Sequence, residues 1–335
     1  MLAQDAIGQT SLDNVTSVVQ AVFLYSLFFE FVGFCILAIH WIPQFGLAEG
    51  GYYAFFYSVS AFNNAGFSLF PDGMIRFQKD AVVCLTISSL YIIGGLGFLV
   101  LMDIQKQRRW QKLSTNSKLV LSTIIGLNVI AFVLIWTLET GNPNTLQPLS
   151  WGEQAVNAWF QATVPRSSGF NSVDINAMTH GSIFLTMLLM FIGGGSLSTA
   201  GGIKVGTFIV LLLSVRSFLR RDDEVRVFER TIPQNIVLKA LAVGFITSML
   251  VFIGIFFLAV LEPRKDTLDL MFEVVSAACT VGLSRGVTGD LNHVSLMILT
   301  LLMFVGRLGP LSLAYLIATP KKSRIKYVDS NIQIG

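Results

Sequence analysis

The stretch "FNNAGFSLF", Phe62 to Phe70, sets two asparagines, a small residue and a glycine between two long apolar runs. Two further stretches have the same shape, "VPRSSGFNS" at Val164–Ser172 and "ACTVGLSRG" at Ala278–Gly286. In each, an apolar helix-like run enters a turn whose glycine is followed by Phe or Leu. Gly66 and Gly169 are 103 residues apart, and Gly169 and Gly282 are 113 apart. A spacing of that size marks one large structural unit copied, not a solenoid of small repeats.

The 335 residues are 53% hydrophobic and 13% charged, with a mean hydropathy of +0.67. Soluble domains carry about 25% charge, so the composition points to an all-α, polytopic integral membrane protein. The net charge of +3 gives no reason to expect a nucleic-acid partner; the distribution of charge matters instead, because it sets topology. Cys35, Cys84 and Cys279 lie in apolar stretches without a CxxC spacing and read as small buried side chains. His40, His180 and His293 are scattered near helix ends and predict no metal site. The absence of a His/Cys cluster, nucleophile–base motif or P-loop argues against an enzyme. Residues 1–17 contain Asp5 and Asp13 but no Lys or Arg, unlike the start of a cleavable signal peptide.

A spanning helix needs about 20 mostly apolar residues. Candidates run over Val18–Ile42, Ala81–Ile104, Leu119–Leu138, about Ser182–Leu213, Ile236–Leu261 and Val294–Ile317, the first ending just before Pro43. Between members of successive pairs lie "GYYAFFYSVSAF", "WGEQAVNAWFQAT" and "LDLMFEVVSAACT". These are apolar but too short to span, the signature of re-entrant or buried helices. The order helix, short helix, glycine turn, helix therefore occurs three times, over residues 18–104, 119–215 and 236–318. Residues 1–17, 105–118, 216–235 and 319–335 form the linker, connections and tail. The connections are basic: "QKQRRWQK" at Gln105–Lys112, Arg216, Arg220, Arg221, Arg226 and Arg230, then Lys321, Lys322, Arg324 and Lys326. The positive-inside rule places them, and both termini, in the cytoplasm and the glycine turns on the outer side.

Irregular backbone is tolerated at membrane depth only where protein buries it or water bathes it. A repeated irregular turn thus predicts a pore or cavity. Each short helix would point its partially negative C-terminus at the centre, which favours a cation. The turn can then offer carbonyl oxygens in place of a hydration shell, and "TVG" at Thr280–Gly282 repeats the opening of the potassium-channel filter TVGYG. Taken singly, each turn reads as a loop with a glycine C-cap. Three in register favour the filter.

The residues "SAFNNAGF", "TVPRSSGFNS" and "SAACTVGLS", with "GGGSLSTAGGIKVGT" at Gly193–Thr207 and "GRLGPLSLA" at Gly306–Ala314, resemble the Trk/Ktr/HKT superfamily of potassium transporters. The likeness is to the bacterial ion-translocating membrane subunits and covers nearly the whole chain. It implies a potassium-channel-like fold of four helix–pore loop–helix units, of which this chain holds three, corresponding to the family's second, third and fourth. It implies a filter built from Asn64, Ala65, Gly66 and Phe67; Ser167, Ser168, Gly169 and Phe170; and Thr280, Val281, Gly282 and Leu283. A glycine at the key position is associated in the family with potassium preference, and a serine in one unit with sodium; all three units here carry glycine. The resemblance also implies potassium as the transported ion, with sodium as a second candidate, and no cofactor bound by this chain. It implies a homodimer in the lipid of the plasma membrane and a cytoplasmic ring of nucleotide-binding regulatory subunits. Because the family's first unit is missing, we expect the chain to be an N-terminally truncated product or to start at a misassigned Met1. By itself it is then not expected to conduct selectively.

"FIGGGSLSTAGGIKVG" interrupts the fourth apolar segment. Gly193, Gly194, Gly195, Gly201 and Gly202 each cost roughly 1 kcal/mol in a helix, and Ser196, Ser198 and Thr199 can bond freed backbone groups. A glycine-rich packing face is the alternative; five glycines around three hydroxyls favour an unwound, mobile intramembrane loop, and the resemblance implies a gate beneath the filter. Arg307 sits inside the sixth apolar segment, where a charge costs at least about 2.5–3.5 kcal/mol unless it meets water or a partner. Gly306, Gly309 and Pro310 predict a bend there, and the resemblance implies that Arg307 faces the cavity as a steric and electrostatic barrier. Glu30 is expected to bond a neighbouring helix, and Glu153 and Glu273 to pair with filter-loop amides. Arg166 and Arg285 are expected to hold their loops by ion pairs, with Glu273 and Asp174 among the partners, and Lys204 to reach toward the cytoplasm.

Three functions compete. The first is potassium uptake through a carbonyl-lined filter with an intramembrane gate. The second is a sodium-coupled alternating-access transporter, for which broken helices also suit but inverted repeats would be expected. The third is a non-conducting membrane partner.

Overall fold

The structure, a computed structural model, describes residues 12–309. The first repeat unit consists of α1 (Leu12–Phe45), the short helix α2 (Leu47–Phe62) and an inner helix in two pieces, α3 (Ala81–Leu96) and α4 (Phe98–Gln107). The second has α5 (Thr115–Glu139), α6 (Trp151–Thr163), and the pieces α7 (His180–Phe191) and α8 (Val205–Arg220). The third has α9 (Gln234–Leu261), α10 (Thr267–Ala278) and α11 (His293–Leu308). The antiparallel hairpin of β1 (Arg226–Val227) and β2 (Arg230–Thr231), in the basic connection before α9, is the only named sheet among the described residues. The architecture is the expected all-α one. The expected linker and tail, and the end of the sixth apolar segment with Pro310, fall largely or wholly outside the described residues.

The layers are arranged inside out relative to a soluble protein. α1, α5 and α9 are long and apolar enough to cross a membrane, and they turn large side chains outward, among them Phe23, Phe28, Ile39, Phe245, Phe252 and Phe256. The short helices are the buried layer: Tyr57, Phe62, Phe160 and Phe272 are 0% exposed. Outward apolar faces around a buried centre satisfy a lipid solvent, in which exposed hydrocarbon costs nothing. Trp41, Tyr57, Phe70 and Phe77 stack behind the first short helix, with ring centroids 5.2 Å apart for Trp41–Phe77 and 5.7 Å for Tyr57–Phe70.

The inner helices start with side-chain caps, which satisfy amides that the first turn leaves free. Asp80 accepts from Val82 N and Val83 N, Thr179 from Ser182 N, and Asn292 from Ser295 N. The short helix α6 opens with a capping box, Ser150 and Glu153, and the Ser150 backbone N–H and hydroxyl hold the Glu153 carboxyl below the usual carboxylate range. The expectation that Glu153 pairs with a filter amide is therefore corrected. Buried Glu139 ties the outer loop of the second unit to α5, accepting from Thr179 N at 2.9 Å, Thr179 Oγ1 at 2.8 Å and Thr145 Oγ1 at 2.6 Å.

Two span boundaries differ from the sequence reading. α1 continues through Pro43 to Phe45. The segment read as one helix over Ala81–Ile104 is bent by 92° at Gly97, whose φ of 95° a helix cannot hold.

Candidate functional site

The three glycine turns share one backbone. Left-handed φ values occur at Asn64 and Gly66 (50° and 71°), at Ser167 and Gly169 (76° and 73°), and at Thr280 and Gly282 (51° and 85°). The residue between each pair is not left-handed, so the hand of the backbone alternates along each strand. A β-strand of uniform hand points successive groups to opposite sides; alternation turns successive carbonyls toward one side, the requirement for a ladder of ion-facing oxygens. Three non-glycine residues in a conformation that costs roughly 1–2 kcal/mol each are held there by the short helices. Ala65 N donates to Ser60 O and Val281 N to Ser276 O, both at 2.9 Å and at the same repeat position.

The turns also converge. A Cβ on Gly66 would lie 2.8 Å from both Gly169 Cα and Ser168 O. One on Gly169 would lie 2.9 Å from Gly66 Cα and 3.1 Å from Val281 O, and one on Gly282 would lie 3.5 Å from Gly169 Cα. Residues more than 100 positions apart thus meet with their backbones in contact, and at Gly66 and Gly169 only glycine fits.

Residues 193–202 form an irregular segment between α7 and α8, closed at its neck by a parallel bridge between Ile192 and Ile203. It touches the inner end of each of the three strands. Asn64 Nδ2 donates to Thr199 Oγ1 at 2.6 Å, Gly201 N donates to Ser167 Oγ at 2.9 Å, and that hydroxyl donates to Thr280 O at 2.7 Å. Arg307 Nη1 donates to Thr199 O at 3.1 Å. The bent inner helix of the first unit supplies the remaining wall, with Gly195 N on Gly95 O at 2.8 Å and Phe98 N on Leu197 O at 3.0 Å. Gly193 and Gly201 leave no space for a side chain: a Cβ would sit 1.8 Å from Gly201 O and 1.7 Å from Thr280 Oγ1, respectively. Ser198 Oγ is buried without a partner among the described residues, whereas the hydroxyl of Thr199 donates to Phe62 O at 3.3 Å.

Glu30 accepts from Asn63 Nδ2 at 2.6 Å, a bond to the neighbouring short helix as expected. Glu273 does take a filter-loop amide, that of Arg285, at 3.1 Å. The expected ion pairs need correction. Arg285 pairs with Asp269, one turn up α10, and Asp174 caps the Asn176 amide. Arg166 is buried without an ion pair among the described residues, at the C-terminal end of α6 where the helix dipole offers a partly negative neighbour. Lys204, expected to reach toward the cytoplasm, instead turns its Nζ back to Ala200 O at 2.6 Å.

Gly94, Gly95 and Gly97 were absent from the sequence-derived site. The signal was there in "IGGLG" at Ile93–Gly97, which matches "VGRLG" at Val305–Gly309. Gly97 and Gly309 share φ values of 95° and 82°, and a Cβ on Gly94 or Gly306 would strike Phe62 O or Ala278 O at 2.0 and 2.1 Å.

Repeated short helices that aim alternating-hand glycine turns at a common centre define a pore-loop membrane protein. The chain belongs to the TrkH family, described as cation transport proteins, whose model matches residues 2–327. It is 42% identical to the Ktr system potassium uptake protein B of Bacillus subtilis, over 100% of this chain and 75% of that protein. It is 40% identical to the protein of the same name from Vibrio alginolyticus (100% and 74%), and 33% to the potassium/sodium uptake protein NtpJ of Enterococcus hirae (100% and 75%). The crystal structure of the potassium transporter TrkH from Vibrio parahaemolyticus shares the fold, with a TM-score of 0.76 at 19% identity over 93% of this chain and 66% of that one.

Proposed function

We propose that the chain forms the ion path of a potassium-uptake system. The observation that carries this reading is the threefold recurrence of the same alternating backbone at Asn64–Gly66, Ser167–Gly169 and Thr280–Gly282, with Gly169 packed against both Gly66 and Gly282. Carbonyls of Asn64–Phe67, Ser167–Phe170 and Thr280–Leu283 replace the hydration shell of potassium, and the C-terminal ends of α2, α6 and α10 add a negative field. The segment from Gly193 to Gly202 acts as the gate under the filter, and Arg307 latches it through Thr199. Basic connections face the cytoplasm of the plasma membrane, where a homodimer would carry a ring of nucleotide-binding regulatory subunits. The names of the Bacillus and Vibrio relatives support potassium as cargo; that of the Enterococcus protein adds sodium as a second ion. Alternating access is less well supported, because the three units carry their glycine turns at corresponding ends rather than in inverted pairs.

Rubidium uptake in cells lacking their own potassium uptake is the direct test. In a version extended by a fourth unit, uptake competed by potassium and not by sodium is expected, with Gly282→Ser shifting the competition toward sodium. Expression of this chain alone beside a version extended by a fourth unit measures whether three strands suffice. Sodium-driven counterflow without a voltage-dependent component would replace the channel-like reading by a carrier.

A further inference from the structure

The strands are also gripped from behind, and the grip differs between units. Tyr57 and Glu273 occupy the same repeat position, nine residues before Gly66 and Gly282 respectively. Ser68 and Ser284 stand two residues after those glycines. In the first unit, Tyr57 Oη lies 2.7 Å from Ser68 Oγ and accepts from Leu69 N at 3.1 Å and Phe70 N at 3.3 Å. In the third, Ser284 Oγ donates to Glu273 Oε1, Arg285 N donates to the same oxygen at 3.1 Å, and Thr288 Oγ1 donates to Oε2 at 2.8 Å. The second unit has Phe160 at this position; its neighbour Gln161, with Oε1 turned to the loop, accepts from Ser172 N at 3.0 Å and Val173 N at 3.2 Å.

We infer that Glu273 is a positioning residue for potassium in the third unit's filter strand, the charged counterpart of Tyr57. This rests on the potassium-filter reading above. A buried carboxylate is kept only where donors compensate its lost hydration, and Glu273, 5% exposed, collects three. All three come from Ser284–Thr288, the exit of the strand, so the carboxylate fixes where Thr280–Leu283 ends. It also claims the Ser284 hydroxyl proton, which would otherwise compete with an ion for filter carbonyls. Arg285 paired with Asp269 ties the same exit to α10 a second time.

The test is the melting temperature of the purified chain in potassium, sodium and choline chloride, with potassium titrated to obtain its half-saturating concentration. The wild type is expected to gain stability in potassium over choline. Glu273→Gln is expected to raise half-saturating potassium about tenfold, the scale of a hydrogen bond to a charged acceptor, while melting close to wild type in choline. Ser284→Ala should reproduce the loss and add little in the double variant, since the two act through one contact. Glu273→Tyr, which installs the first unit's grip opposite Ser284, should recover most of the affinity. Should Glu273→Gln not fold, Ser284→Ala carries the test alone. Unchanged half-saturating potassium in the variants, or an equal fall of melting temperature in all three salts, overturns the inference. A wild type without a potassium-specific gain overturns the filter reading and this inference with it; a wild-type gain with silent variants overturns only the inference.

Discussion

The two ends of the repeat units, called outer where the glycine turns lie and inner where the glycine-rich breaks lie, obey different rules. At the outer end the three units converge on one backbone, with paired left-handed residues at Asn64 and Gly66, Ser167 and Gly169, and Thr280 and Gly282. At the inner end the same glycine-rich break is resolved in different ways. The first unit bends by 92° at Gly97, the second opens an irregular segment over residues 193–202, and in the third Gly309 turns left-handed after Leu308. An ion shared by several strands demands equal geometry from each. The segment over residues 193–202 is the reverse case: it comes from the second unit alone, and the other units contribute partners to it, among them Asn64 from the first and Arg307 from the third.

The comparison breaks first at the glycines. Gly169→Ala places a Cβ 2.9 Å from Gly66 Cα in a residue with φ 73°. Overpacking and left-handed strain together cost about 2–5 kcal/mol, and rubidium uptake should fall by roughly two orders of magnitude or more. Gly126→Ala is the control, since nothing lies within 4 Å of the added carbon inside α5. It should leave uptake unchanged and raise stability by about 1 kcal/mol. Equal effects at the two positions would mean that the convergence of the turns has no functional role.

The inner end is sharpened by Arg307→Ala. Removing the bond from Nη1 to Thr199 O frees the segment from α11 while its contacts with Asn64, Ser167 and Thr280 remain. Initial uptake rates should rise about tenfold or more, the range expected for one charge-assisted bond. Unchanged flux would make Arg307 a packing residue and would assign the latch to Asn64.

The outer end was legible in the sequence because its constraint is local. Only a glycine after a short apolar helix satisfies the turn, and the signal recurs three times, so Gly66, Gly169 and Gly282 and the helix Trp151–Thr163 could be placed from composition and spacing. The interruption at Gly193–Gly202 was legible for the same reason. The bend at Gly97 was missed, because the three glycines of "IIGGLG", read without their match to "VGRLG", fit a membrane helix as packing residues; at the break, Leu197 O of the second unit takes the Phe98 amide. Partner choice was equally out of reach. Arg285 lies next to Glu273 in the repeat pattern, yet geometry gives its guanidinium to Asp269 and its amide to Glu273. Which charge meets which is settled by helix register to within one turn, and a sequence does not carry that information.

The smallest effect sharpens the comparison within the outer end itself. Tyr57→Phe keeps the ring stacked on Phe70, with centroids 5.7 Å apart, and removes only the hydroxyl that meets Ser68 Oγ and accepts from the Leu69 and Phe70 amides. A neutral hydrogen bond contributes about 0.5–1.5 kcal/mol, and the aromatic packing of Trp41 and Phe77 around Phe70 continues to hold the strand exit. Half-saturating potassium should therefore rise only about two- to fivefold, less than for Glu273→Gln, which alters an acceptor of three hydrogen bonds. The reverse order would show that strand position is set by the hydroxyl rather than by ring packing. The three outer ends would then be alike in their hydrogen bonds as well as in their backbone.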